Sequence, residues 1–423
     1  MPKGYARWVL AVLTLISFLN YLDRYLPVGA GPVIQKEFHL DDAHYGGLAS
    51  AFLIVYALCA IPFGLLADRW LRKGVIGIGV SIWSVATLLT GFAGNIWHLY
   101  LTRAVVGVGE AGYFPAGTSL LSDYFPITSR GRAMSIWSVG QYFGIALAFI
   151  GGGAIAESRL GWRFGFFLTA IPGLLLALAV FLLREPARGS ADVGPALEQV
   201  KEADLRHFGR LLRIPTLLAI IAAQTVLFFV LAANAVWLNQ VLNRYYGLSV
   251  SKAGTLAGLV LIAGGLVGTL GGGWLGDWRS KRTPRGHLEV SAAGFLGAAA
   301  AVTVALLVNN YAIFMVGFFI GVTCISMYNG PFTALTANVV IPSLRASAVT
   351  LSLFLAHLLG DSYAPFATGF LSDTFRDLRI ALLVTSTPLL LLATVITVLA
   401  FRTVRADHEA MTREWAAHDV AAA

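Results

Sequence analysis

Twelve stretches of about twenty apolar residues recur along this chain, the length an α-helix needs to cross the hydrocarbon core of a bilayer. They lie near 8–30, 44–67, 74–94, 96–121, 133–156, 163–183, 215–242, 251–276, 288–308, 311–338, 346–370 and 380–401, numbered here as spans 1 to 12. Helices rather than barrel strands follow, because each helix satisfies its own backbone hydrogen bonds where water is absent. The expected fold is an all-α membrane protein. Composition agrees, since 57% of the 423 residues are hydrophobic and only 12% charged, against about 25% charged in an ordinary soluble domain.

A net charge of +8 would suit a nucleic-acid binder, but the placement of the basic residues argues otherwise. With a cytoplasmic N-terminus, 21 of the 30 Lys and Arg fall in cytoplasmic segments and 7 in outer loops, while Arg24 and Arg103 sit inside spans. This is the positive-inside distribution, so the basicity reports topology. A multi-pass protein of a bacterial-type inner (plasma) membrane is expected, with both termini cytoplasmic, no nucleic-acid partner and a monomeric state. Lys3 and Arg7 before an apolar run imitate a signal peptide, yet no small-residue cleavage site follows and the run continues into NYLDR. Cys59 and Cys324 lie within spans and suggest no disulfide framework, and the eight scattered histidines offer no metal-ligand spacing. No GxxxxGK[ST] loop occurs, which argues against ATP-driven transport, and no cofactor is expected.

A short pattern returns four times: Gly, an apolar or small residue, Leu or Ile, a small residue, then an acid. It reads GLLAD (Gly64 to Asp68), GAIAE (Gly153 to Glu157), GWLGD (Gly273 to Asp277) and GFLSD (Gly369 to Asp373). The copies end spans 2, 5, 8 and 11, the second helix of each group of three. Four three-helix units therefore build two pseudo-symmetric six-helix bundles, 1–183 and 215–401, with a linker at 184–214 and a tail at 402–423. The first and third copies fall on the cytoplasmic side and alone continue into basic runs, DRWLRK and DWRSKR. Glycine lets helices approach closely, and the terminal acid can pair with arginine or face a helix N-terminus. Asp68, Arg69 and Asp277 are the expected gating residues. In the linker, Leu197, Val200, Leu205, Phe208 and Leu212 fall on one helical face, which reads as an amphipathic cytoplasmic helix, with a disordered connector as the alternative.

With GLLADRWLRK after span 2 and LYLTRAVVGVGEAG in span 4, the chain resembles the major facilitator superfamily. Within it the chain is similar to the Spinster family, through NYLDR, RAVVGVGEAGYFPAGTSLLSDYFP, GWRFGFFLTAIPGLLLAL, REPARG and AHLLGDSYAPFATGFLSD. The span 1 DR and span 4 GVGEAG also occur in organic-anion symporters of the superfamily, so HLLGD decides between them. The resemblance implies a substrate of lysolipid, sphingoid-lipid or other amphipathic anionic kind.

A charge at mid-bilayer costs roughly 2.5–3.5 kcal/mol on insertion scales, so it faces the bundle interior and a partner. Span 1 supplies Asp23 and Arg24; span 4 supplies Arg103 and Glu110, seven apart and so on one helix face. Two acids and two bases form a neutral set able to exchange partners, with Arg24 and Glu110 the first pairing to consider. A buried carboxylate whose arginine leaves it can gain a proton near neutrality, and the resemblance likewise implies protonation at Asp23 and Glu110 with Arg24 switching partner. The bland reading is a static ion network that fixes helix packing; for Arg103 it weighs more, because LxxxRxxxGxG recurs across the superfamily. Around this set, Asn20, Gln141 and Tyr142 of the first half and Gln224, Asn234, Tyr328, Asn329, His357 and Asp361 of the second are candidate pocket residues. Asn20, Arg24, Arg103, Gln141, Tyr142, Asn329, His357 and Asp361 form the expected substrate-binding set.

The function expected is proton-coupled secondary transport by alternating access. A proton symporter for a small anion such as a sugar acid is the alternative within transport. Multidrug antiport ranks lower, because GQYFGIALAFIGGG in span 5 lacks a Gly-Pro pair. A membrane-embedded enzyme would need a nucleophile and base or a metal site, and no such set stands out. A non-transporting sensor would need more than the short tail after Arg402.

Overall fold

The computed structural model describes residues 3–188, 190–191, 209–341 and 344–422. Helices account for the fold, with no strand among the described residues. In chain order the twelve spans are α1 (Lys3–Gly29), α2 (Asp42–Arg69), α3 (Arg72–Thr90), α4 (Ile96–Ala111 and Tyr113–Tyr124), α5 (Ile127–Glu157) and α6 (Gly161–Phe181), followed by a second set of six. These are α7 (Pro215–Tyr246), α8 (Val250–Ser280), α9 (Gly286–Leu307), α10 (Tyr311–Ser326 and Asn329–Val339), α11 (Arg345–Ala356 and Ala364–Phe375) and α12 (Leu378–Leu399). A short helix, Gly31–Glu37, follows α1, and the tail forms a further helix, Val404–Ala422. The amphipathic helix expected in the linker lies almost wholly outside the described residues.

Ten of these segments are helices long and apolar enough to cross a membrane among the described residues. The two that are not, α4 and α11, are broken mid-span. In α4 the break falls at Gly112, because Pro115 cannot donate to the Ala111 carbonyl and its ring crowds that turn. Pro331 stands in the same relation to Met327 in α10. In α11 the break is a π-helical turn, His357–Asp361, an insertion that often marks functional sites.

The chain forms two compact units. The first comprises Met1–Leu197, Ala235–Gly258 and Pro365–Asp373; the second comprises Glu198–Asn234, Leu259–Ala364 and Thr374–Ala423.

Inside the first unit, α1 lies directly against α5. A Cβ on Gly140 would fall 2.4 Å from the Thr14 carbonyl oxygen, and one on Gly144 would fall 2.3 Å from that of Phe18. The two backbones therefore touch, and the small residues of GQYFG permit it. Gly144→Val should force the helices apart, at a cost of about 1–3 kcal/mol or more. Thermal unfolding of the purified protein in detergent should show a drop of several degrees; an unchanged melting temperature would mean that α1 is not held by this contact.

The GVGEAG run of α4 works the same way on two sides. Gly107 meets α2, where a Cβ would lie 2.6 Å from the Phe52 carbonyl oxygen, and Gly109 meets α3, 2.7 Å from that of Gly79. Glu110 is carried between these contacts. Below it, the Tyr113 hydroxyl donates to the Leu13 carbonyl at 2.5 Å and accepts from Trp137 Nε1 at 2.7 Å, tying α4, α1 and α5 together.

At one end of this unit, residues 184–188 clamp the turn between α2 and α3. Glu185 accepts from the backbone amides of Arg72 and Lys73 at 3.2 and 3.0 Å, capping α3, while Arg188 donates to the Ala67 and Trp70 carbonyls at 2.7 and 3.0 Å, closing α2. Arg72, almost fully buried, adds ion pairs to Asp123 and Glu185.

The second unit packs Phe295, Tyr328, Phe332 and Leu390 into one core. Its tail helix is tied in by Asp407, which accepts from the Thr216 amide at 2.8 Å and so caps the start of α7.

Candidate functional site

The Arg24 guanidinium donates twice to one oxygen of Glu110, from Nε at 3.2 Å and from Nη2 at 2.9 Å. Glu110 is fully buried and the Arg24 side chain is 12% exposed, so the pair sits at the edge of the packed interior. Three aromatic rings surround the cation, with centroids 4.8 Å (Tyr21), 5.0 Å (Phe52) and 4.8 Å (Tyr56) from Arg24 Cζ. Each such contact contributes about 0.5–2 kcal/mol, depending on desolvation. A cavity of about 20 Å³ opens beside the pair, lined by Asn20, Tyr21, Arg24, Tyr56, Glu110 and Gln141 among others. That volume accepts a water molecule.

Asp23 follows a different direction. One residue along a helix is a 100° turn, and Asp23 is wholly buried and absent from the cavity's lining. Its backbone carbonyl accepts from Arg103 Nη1 at 3.1 Å, and Arg103 Nη2 donates to Thr90 Oγ1 at 3.2 Å, with the guanidinium 5.5 Å from the Phe166 ring. The Thr169 and Thr87 hydroxyls are the polar neighbours of the Asp23 carboxylate. The four interior charges thus divide into an Arg24–Glu110 pair at a cavity and an Asp23–Arg103 neighbourhood sealed within the unit.

Of the other first-half candidates, the cavity gathers Asn20 and Gln141, whereas Tyr142 is exposed and outside its lining. In the second unit, Asn329 Nδ2 donates to Thr269 Oγ1 at 3.1 Å, and His357 Nδ1 lies 2.7 Å from Asp361 Oδ2 across the π-turn. The His357 ring also meets Phe228 edge-on at 5.0 Å. Asn234, in the same unit, donates to Ser386 Oγ at 2.9 Å.

The four repeated acids divide into two pairs. Arg69 and Asp277 are exposed, and the Asp68 side chain lies outside the described residues. The second and fourth copies are engaged within the first unit. Glu157 accepts from the Val250 and Ser251 amides at 2.6 and 3.1 Å, capping α8, and Asp373 accepts from the Asp42 and Ala43 amides at 3.0 and 2.8 Å, capping α2. Beside the second cap, Arg244 forks onto Asp42 at 2.6 and 2.8 Å, and Ser372 Oγ donates to Asp42 at 2.5 Å. The sequence marks these copies too, but gating was expected only of the first and third. Of the two partners expected for such an acid, an arginine or a helix N-terminus, these copies take the helix N-terminus.

The family model for the Major Facilitator Superfamily matches residues 13–365. Protein spinster homolog 1 of Homo sapiens is 32% identical over 401 residues, spanning 89% of this chain and 75% of that protein. The sphingosine-1-phosphate transporter SPNS2 of Mus musculus is 29% identical over 384 residues, spanning 87% of this chain and 70% of that one. Among solved structures, a bacterial homologue of the human lysosomal transporter Spinster, in an inward-facing and occupied conformation, superposes with a TM-score of 0.85 at 28% identity, covering 96% of this chain and 99% of the other. The chain therefore belongs to the major facilitator superfamily, among its Spinster-type membrane transporters.

Proposed function

We propose that this transporter couples protons to the movement of an amphipathic organic anion of the lysolipid or sphingoid-phosphate kind, by alternating access. The observation that carries the reading is the Arg24–Glu110 pair at a water-sized cavity. A guanidinium that grips one carboxylate oxygen through two N–H groups can exchange that oxygen for one of an anionic head group. The carboxylate it leaves then takes a proton more readily in the low-dielectric interior. Anion binding and protonation thereby favour each other. Asn20 and Gln141 offer further hydrogen bonds around the head group, Asp23 is a second protonation site, and Arg103 supports it from α4. His357 and Asp361 serve as a polar pair in the second unit. The printed name of the mouse relative, a sphingosine-1-phosphate transporter, supports a single-chain lipid with an anionic head.

The outer caps serve as latches in this scheme. Helix N-terminal caps contribute about 0.5–2 kcal/mol each. Glu157→Ala combined with Asp373→Ala should therefore shift the conformational equilibrium toward outward opening by roughly fivefold or more. Labelling of cysteines introduced on the outer side of the first-unit helices should rise accordingly. In the mirror test, Asp68→Asn should increase labelling from the cytoplasmic side. Unchanged labelling in either variant would reduce that copy of the repeat to packing.

Substrate class is tested by reconstitution into proteoliposomes under an imposed pH gradient, with sphingosine-1-phosphate, a lysophospholipid and a sugar acid offered in parallel. Gradient-dependent flux of an amphipathic anion is expected. Flux of the sugar acid alone would replace the lipid reading with the small-anion one, and flux indifferent to the gradient would remove proton coupling.

A further inference from the structure

We propose that Phe52 and Tyr56 of α2, with Tyr21 of α1, are positioning residues that hold the Arg24 guanidinium by their ring faces whenever Glu110 does not. The proposal deepens the function proposed above, and its first test is independent of any substrate.

Arg24 spends Nε and Nη2 on a single oxygen of Glu110, and Nη1 donates no hydrogen bond among the described residues. Ring faces from two helices surround the cation, all within the roughly 6 Å over which a ring quadrupole attracts it. Phe52 and Tyr56 are four apart in sequence, hence on one face of α2, and their rings stack at 5.8 Å with 23° between planes. Phe52 is buried, while Tyr21 and Tyr56 line the cavity, so the cage has a dry wall and a wet one.

The same α2 backbone braces Glu110. Gly107, three residues before it, approaches so closely that a Cβ would lie 2.6 Å from the Phe52 carbonyl oxygen and 3.0 Å from the Tyr56 amide nitrogen. Cage and carboxylate are thus held in register by one contact. Once Glu110 is neutralised, a buried guanidinium without a counter-ion is costly. The negative ring faces supply a potential that does not titrate, so Arg24 stays at the cavity for its next partner.

The test replaces Phe52 by mono-, di- and trifluorophenylalanine, which keep the shape and progressively drain the ring quadrupole. Melting temperatures of the purified full-length protein are compared in three backgrounds: native, Glu110→Gln and Arg24→Met. We expect a fall of roughly 1–2 °C across the series in the native background, about twice that in Glu110→Gln and none in Arg24→Met. Equal slopes in all three would overturn the proposal and leave the rings as packing, and so would a slope no steeper in Glu110→Gln than in the native background. In proteoliposomes, sphingosine-1-phosphate transport should fall about tenfold across the same series. A native rate throughout the fluorinated series would overturn a role of the cage during exchange. A native protein that moves none of this lipid would instead count against the substrate reading, with the melting series still deciding the cage.

Discussion

Arg24→Lys should fold, reach the membrane and lose most of its transport. Lysine keeps the charge but carries it as a compact ammonium on a flexible stem, without the planar fork of arginine. Arg24 uses that fork twice on one Glu110 oxygen and lays its plane among three rings. Losing one charge-assisted bond and part of the ring contact removes about 2–3 kcal/mol. At 1.36 kcal/mol per decade, that is a fall of roughly 30- to 160-fold in rate. Transport assays normalised to protein amount in the vesicles check it, and near-native transport would remove the requirement for a guanidinium. If Arg24→Ala also transported normally, partner exchange would be the wrong account of the site.

Glu110→Gln should separate movement from coupling. The amide keeps the shape of the side chain and one oxygen for Arg24 but cannot take up or release a proton. Accumulation driven by a pH gradient should vanish, while exchange of labelled for unlabelled substrate across the same vesicles survives in part. Unaltered gradient-driven accumulation would exclude Glu110 as an essential coupling site. Asp23 would then be the remaining interior acid of the set, sealed beside Arg103.

Much of this architecture was legible because bilayers impose their thickness on sequence. The twelve apolar runs, the fourfold Gly-to-acid repeat and the placement of Lys and Arg each follow from a constraint that acts on composition and spacing. Breaks within spans were less legible. The run 96–121 reads as one segment, and only Gly112 and Pro115 hint at the interruption that follows Glu110. A π-turn leaves the apolar pattern of α11 intact, so nothing in HLLGD declares it.

The interior charges were identifiable by their rarity, but their partition depends on reach. Arg103 and Glu110 share a face of α4, yet they meet adjacent residues of α1 that point 100° apart, and periodicity carries no information about that. The ring cage was hidden for another reason. Phe52 and Tyr56 lie in the apolar run AFLIVYAL, where aromatics look like any other core or lipid-facing residues until the third helix is in place.

The central claim, that a proton moves with the substrate through Glu110, is tested most directly by recording both fluxes at once. Proteoliposomes carrying a trapped pH dye are given a sphingosine-1-phosphate gradient and no initial pH gradient. The account predicts that substrate flux through the native protein changes the internal pH, that a protonophore abolishes this change, and that Glu110→Gln exchanges substrate without producing it. Substrate flux through the native protein at constant internal pH, or an undiminished proton movement in Glu110→Gln, would contradict it.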